Sequence, residues 1–264
     1  SARVLHAADD LKGADDDDLS SHADRYGGTY AWITSENRLG ESLSSRSILS
    51  VSYLSKNRHG EDFSQDGSFI KTLDVRDRLE TSYLGFKTDL SWDLSDRAVL
   101  KGGVDVRAGH AEYDYSRWRR EATPNFTDPV GPPFYLWVDT LNMAAEPSGV
   151  ETGAYLAGRF RALEAVTAEL GLRVHHNSAT GKGEVSPRVS AAYRLLPGTT
   201  FRGAWGAYPQ AQALHELQVA DADSIFHPSQ TAEHRILGVE QILGDAVTLR
   251  VEAFQRRTDD PFPE

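Results

Sequence analysis

The sequence predicts an all-β chain folded as an antiparallel up-and-down sheet, and three observations carry that reading. The first is strict period-two alternation. Val166, Ala168, Leu170, Leu172 and Val174 alternate with Thr167, Glu169, Gly171, Arg173 and His175. Val189, Ala191, Tyr193 and Leu195 alternate with Arg188, Ser190, Ala192 and Arg194. Phe201, Gly203, Trp205 and Ala207 alternate with Thr200, Arg202, Ala204 and Gly206. Successive strand side chains point to opposite faces, so each segment has one apolar and one polar face. The second is the polar face itself, which carries Arg, Glu and His in the middle of long segments. A soluble sandwich also alternates, with shorter strands. Charges in mid-strand opposite Leu, Val, Ala and single aromatics suit a transmembrane barrel, apolar outside and wet inside. The third is the sorting of connections: short turns at Ser95 to Arg97, near Ala162, at Pro197-Gly198 and at Gly244-Asp245 alternate with long ones. The long connections expected are Ser116 to Pro147, about Asn177 to Ser186, and Pro209 to Pro228. Outer-membrane barrels place short turns at one end and long loops at the other.

In chain order, residues 1–25 are polar and include the run DDLKGADDDD from Asp9 to Asp18. Clustered carboxylates suit a hard cation, yet the ligand spacing and closing Glu of an EF-hand loop are lacking, so a solvated acidic loop is expected there. Strands are expected over Gly28 to Asn37, Ser45 to Asn57, Asp77 to Leu94 and Ala98 to Tyr115, with His59 to Ser68 as a polar turn region. In the third of these, Leu84, Phe86, Leu90, Trp92 and Leu94 oppose Lys87, Asp89, Ser91 and Asp93; in the fourth, Leu100, Val104 and Val106 oppose Lys101, Asp105 and Arg107. Five of the 11 prolines fall between Pro124 and Pro147, which breaks the rhythm there and reads as a long connection, functional or disordered. Val150 to Phe160, Val166 to His176, Pro187 to Leu196, Phe201 to Tyr208, Ala232 to Leu243 and Ala246 to Arg257 complete about ten strand signals, with a helical turn at Ala211 to Val219. Leu196-Pro197-Gly198-Thr199 forms a tight turn, Pro presetting φ and Gly free to take φ > 0.

Composition excludes several classes. Hydrophobic residues make up 39% of the 264, and no run approaches the ~20 apolar residues of a spanning helix. Barrel strands escape that test because half of each is polar. With no cysteine, thiol catalysis, disulfides and zinc-thiolate sites are out. A net charge of −11 argues against nucleic acid as a partner. No signal peptide is visible after Ser1-Ala2-Arg3, as expected of a mature chain or a fragment.

Ser186 to Leu217 (SPRVSAAYRLLPGTTFRGAWGAYPQAQALHEL), Thr231 to Leu243 (TAEHRILGVEQIL) and Thr248 to Pro263 (TLRVEAFQRRTDDPFP) together resemble the barrel of TonB-dependent outer-membrane receptors. The shared order is a PR-x-x-x-x-Y strand, a short turn, an R-x-x-x-G strand, a P-x-x-x-E-L loop, a G-V-E strand and an R-V-E-A-F strand. The likeness covers about 80 residues, 186 to 263; residues 26–160 fit by pattern alone. It implies part of a large plugged barrel of the 22-stranded class. The expected division is an acidic loop over 1–25 and a partial barrel over 26–264, with plug domain and C-terminal strands absent. The resemblance further implies a Gram-negative outer membrane, contact with its lipid, and TonB-driven uptake of a scarce extracellular ligand such as a ferric siderophore, TonB being reached through the missing plug. Enzymatic activity and a cofactor are not expected. The other readings are a soluble or surface β-sandwich binding carbohydrate, and a passive porin.

No catalytic constellation stands out. His175-His176 is adjacent and would split to opposite strand faces, so no metal site is expected there. Ser186, His215 and Asp221 lack a nucleophile elbow. The ligand-contact candidates are Tyr113, Tyr115, Arg117, Trp118, Arg119 and Arg120, with Tyr135 and Trp137 across the expected loop. Arg offers forked donors for carboxylate or catecholate oxygens and aromatic faces can stack on planar groups. An aromatic girdle with loop packing is the competing account of the same residues. Arg173, Arg188, Arg194, Arg202 and Arg250 are expected to face the lumen, pairing with Glu169, Glu240, Glu252 and plug residues.

Overall fold

The structure is a computed structural model that describes residues 1–15, 20–66, 69–125, 134–244 and 246–259. Its strands are β1 (Ala2–Asp15), β2 (Ser20–Arg38), β3 (Leu43–Asp66), β4 (Phe69–Ser95), β5 (Ala98–Pro124), β6 (Phe134–Ala145), β7 (Ser148–Leu163), β8 (Val166–Asn177), β9 (Lys182–Leu196), β10 (Thr199–Gln210), β11 (Gln230–Leu243) and β12 (Val247–Asp259). All belong to one 12-stranded antiparallel sheet, ordered as in the sequence except that β6 lies off the path and pairs β5. The lower half of β5, Ala98 to His110, pairs β7, while its upper half, Tyr113 to Pro124, pairs β6. β1 and β12 each have one neighbour among the described residues, so the sheet is an open sector of a barrel.

The alternation becomes two faces of different chemistry. Leu84, Leu156, Leu172 and Leu237 are 58, 57, 50 and 71% exposed on the apolar face. A sandwich would cover such a face with a second sheet; here all strands share one sheet, and the sandwich reading fails. On the opposite face charged side chains bond across strands: Arg173 Nη2 donates to Asp105 at 2.7 Å, Arg107 to Glu151 at 2.6 Å, Arg159 Nε to Glu169 at 2.9 Å, and Arg202 to Glu240 at 3.1 Å. Arg250 bonds Glu252, and Arg188 lies 4.6 Å from the Tyr208 ring centroid. Of the expected partners, Glu240 and Glu252 hold; Glu169 is taken by Arg159, while Arg173 reaches Asp105 instead.

Short turns gather at one end, at residues 39–42, 96–97, 164–165 and 197–198, and Gly198 takes φ 84°, which its missing Cβ allows. The opposite end differs from expectation. Its asymmetry lies in strand length more than loop length: β4 and β5 each run 27 residues, and β3 runs 24. The region His59 to Ser68, expected as a turn, is strand through Asp66, and the rest of that expectation falls on residues 67–68, outside the described residues. Ser116 to Pro147 is a hairpin rather than a loop, β5 continuing to Pro124 and β6 starting at Phe134; residues 126–133 lie outside the described residues. The connection expected near Asn177 to Ser186 shrinks to a turn at 178–181, closed by Gly181 at φ 67°.

Residues 1–25 also depart from the expected acidic loop. Ala2–Asp15 is a strand in continuous register with β2, from Ala2↔Ile33 to Asp15↔Ser20. Polarity misleads there because ladder hydrogen bonds join backbone groups whatever the side chains. Asp10 is met by Arg25 at 3.4 Å; Asp16 to Asp18 lie outside the described residues. Twelve strands thus replace about ten.

Candidate functional site

The strand ends beyond the short apolar belt form a rim, and one loop folds back onto it. Residues 211–229 join β10 to β11, yet they pack on the charged face of β4 and β5. Leu214, Leu217 and Val219 are buried with Tyr83, Ala111, Tyr113 and Tyr115 in one cluster. The Tyr113 hydroxyl donates to Leu214 O at 2.7 Å and accepts from Leu217 N at 3.0 Å. Tyr83 Oη meets His215 Nδ1 at 3.1 Å, and Arg117 Nη1 donates to Ala220 O at 3.4 Å. Burial pushes the Tyr113 phenol far above its ordinary pKa, so it remains a donor. The loop braces itself too: Gln212, 4% exposed, donates to Glu216 O and accepts from His227 N at 2.9 Å, and His227 meets Asp223 at 2.8 Å. Its helical turn falls at Val219–Asp221, later than the Ala211 to Val219 expected, because packing of Val219 on the wall selects it. Gly109 makes room beneath: a Cβ there would lie 2.5 Å from the Tyr83 ring and 2.8 Å from Leu214.

Alternation divides the candidate ligand contacts. Tyr113, Tyr115, Arg117 and Arg119 share the charged face of β5, and the register brings Asp139 opposite Arg119, Trp137 opposite Glu121 and Tyr135 opposite Thr123. Trp118 and Arg120 point the other way. Tyr113 and Tyr115 are buried and packed with the loop, and the Tyr113 hydroxyl is engaged by two loop backbone groups. Arg117 pairs with Asp139 at 3.0 Å. Arg119 Nε donates to Glu121 at 2.9 Å, and its guanidinium lies 5.2 Å from the centroid of the Trp137 ring. Tyr135 and Trp137 are about half exposed, at 52 and 49%. The structure therefore presents Arg117, Arg119, Tyr135 and Trp137 together. The forked donors and exposed rings can accept an anionic ligand with flat groups.

Sequence reasoning missed the loop's part in this surface. It also missed a cavity of about 400 Å³ between the loop and β1–β4, lined by Tyr26, Tyr30, Lys56, Leu79, Thr81 and His215. Tyr26, Tyr30 and Lys56 lie on the charged face by register, a signal readable only once β1 and β2 are recognised as strands. His175 and His176 fall on opposite faces; His175 stands 3.9 Å from both Glu151 and Glu184. Ser186 sits in β9, His215 bonds Tyr83, and Asp221 ends the loop's helical turn.

One antiparallel up-and-down sheet with a bare apolar face, an ion-paired opposite face and strands extended far beyond the belt at one end defines a sector of a membrane β-barrel. The chain belongs to the TonB-dependent receptors: the family described as TonB dependent receptor-like, beta-barrel, matches residues 4–262. No curated protein matches the chain in sequence. Among solved structures it is similar to BauA, the ferric preacinetobactin receptor from Acinetobacter baumannii, with TM-score 0.54 and 12% identity over 97% of this chain and 44% of that one. It is also similar to the RagAB peptide transporter, with TM-score 0.53 and 8% identity over 91% of this chain and 31% of that one. The chain thus spans less than half the length of these relatives, and at such identity the likeness shows the fold alone.

Proposed function

We propose that this chain is the wall of an outer-membrane receptor that imports a scarce ligand in a TonB-dependent manner, the ligand being a ferric siderophore or similar iron chelate. The observation that carries this is the rim surface of Arg117, Arg119, Tyr135 and Trp137, set above an ion-paired inner face and beside an inward-folded loop. Ferric chelates of catecholate or carboxylate type are anionic and carry flat groups, which this pairing of guanidinium and indole suits. Family membership supports uptake across a Gram-negative outer membrane, with lipid against Leu84, Leu156 and Leu172 and with TonB engaged by a plug domain. The named relatives carry different cargoes, an iron chelate and peptides, so the choice of ligand rests on the rim.

The test uses the full-length parent receptor in detergent, with ferric catecholate and ferric hydroxamate chelates as probes. Saturable binding of the catecholate, weakened about ten-fold or more in an Arg119→Ala, Trp137→Ala double variant, is the expected result. Binding that ignores the double variant removes this surface from the ligand's path. Ohmic conductance of the receptor in planar bilayers, with no chelate bound, would establish the passive porin instead.

A further inference from the structure

The outward face of the β3–β4 hairpin, above the apolar belt, carries a side-chain cluster that uptake does not use. His59 and Glu61 are two apart on β3 and share that face, while the register sets Asp74 of β4 directly opposite Glu61 and Arg76 opposite His59. His59 Nε2 lies 3.7 Å from Glu61 Oε1 and 3.8 Å from Asp74 Oδ1, and one donor atom from each residue falls within 4.8 Å of the others. We propose that His59, Glu61 and Asp74 form a binding site for a divalent transition metal, Zn²⁺ being the ion the donor set suits best.

Three observations support the assignment. The separations are too long for hydrogen bonds, but metal bonds of about 2.0–2.2 Å in a tetrahedron set donors roughly 3.3–3.6 Å apart. The two His59 separations exceed that range by only a few tenths of an ångström, and the Glu61 and Asp74 oxygens, within 4.8 Å of each other, would close on an ion by side-chain rotation. His59 Nε2 is itself enclosed, and it has no hydrogen-bond partner among the described residues; a bare nitrogen held between two carboxylate oxygens is the arrangement a cation completes. The local charge is also unbalanced: Arg76 Nε, 3.7 Å from Asp74 Oδ1, is one cation against two carboxylates. An imidazole donor disfavours Ca²⁺ and Mg²⁺, which take oxygen ligands. Three protein donors leave one position open to water or an outside ligand. Since the donors come from both strands, a bound ion would cross-link β3 to β4 at the rim. Glu61 is exposed, which gives the ion a path from the medium.

The experiment titrates the full-length receptor in detergent with Zn²⁺, then with Co²⁺ as a spectroscopic probe, in the wild type, His59→Ala and a Glu61→Gln, Asp74→Asn double variant. Heat-modifiable mobility on a gel checks that each variant is folded, and the near-isosteric double variant carries the comparison if His59→Ala is not. His110→Ala is the control, because His110 also lies on the outward face and stands 3.4 Å from Glu112, and among the described residues the pair belongs to no cluster of three donors. The wild type and His110→Ala are expected to bind one more equivalent of Zn²⁺ than the other variants and to show tetrahedral Co²⁺ bands that those lack. Equal stoichiometry and an unchanged Co²⁺ spectrum across all four proteins would overturn the site, as would a matching loss in His110→Ala.

Discussion

Between the short turns and the rim, β7 to β12 bury almost nothing, and their leucines and valines stand bare on one face while ion pairs line the other. On the inner face of β4 and β5 the reverse holds: the buried apolar cluster among the described residues begins at Tyr83, level with Gly109, rises through Ala111, Tyr113 and Tyr115 toward the rim, and is closed by the 211–229 loop. The belt has lipid as its apolar partner, so its strands need only backbone ladders and a polar inner wall. Beyond the lipid the chain meets water on both sides and must build its own core, which it does by bringing a loop back across the sheet. Stability is therefore set by different side chains at the two levels, and substitutions should separate them.

The largest effect expected is at the rim. Tyr113→Ala removes a buried ring and both loop hydrogen bonds, at a cost of about 3–5 kcal/mol, and hydrogen exchange should show amides of residues 211–222 losing protection while the barrel stays heat-modifiable. If the whole barrel unfolds with the loop, rim and belt are one unit. Next comes Leu172→Arg, near the middle of β8 on the apolar face. A charge there should cost about 2–4 kcal/mol in bilayers, read by urea titration, with loop protection unchanged. A soluble, undiminished variant would deny that this face meets lipid. Tyr113→Phe is subtler: it keeps the ring but leaves Leu214 O and Leu217 N without their partner, for about 1–3 kcal/mol, and faster exchange should stay confined to the loop. Smallest is Arg202→Ala, since its pair with Glu240 is partly exposed; the loss should be under about 1 kcal/mol, and a larger one would mean that the inner wall acts as a network.

How far the fold could be read from residues follows the same boundary. Leu84 to Leu94, Leu100 to Val106 and the strands from Val150 onward alternate because lipid and lumen impose opposite chemistry on the two faces, and Pro197-Gly198 marks its turn. His59 to Asp66, Ser116 to Pro124 and Ala2–Asp15 read as loops because above or outside the belt both faces are wet, and polar residues on both sides erase the period of two. The candidate site was legible to the same degree. Arg117, Arg119, Tyr135 and Trp137 stood out as cations and aromatics in an acidic chain, but the hairpin register that brings β6 against β5 was not visible across its prolines.

The sequence by itself determined an antiparallel membrane sheet and its outward and inward faces, because each depends on neighbours two residues apart. Only the tertiary structure decided that Tyr113 and Tyr115 are buried beneath the 211–229 loop, and that a loop residue 101 positions beyond Tyr113 supplies the carbonyl it bonds. Docking of that kind depends on complementary shape and unpaired polar groups meeting across the sheet, and no local pattern of residues records it.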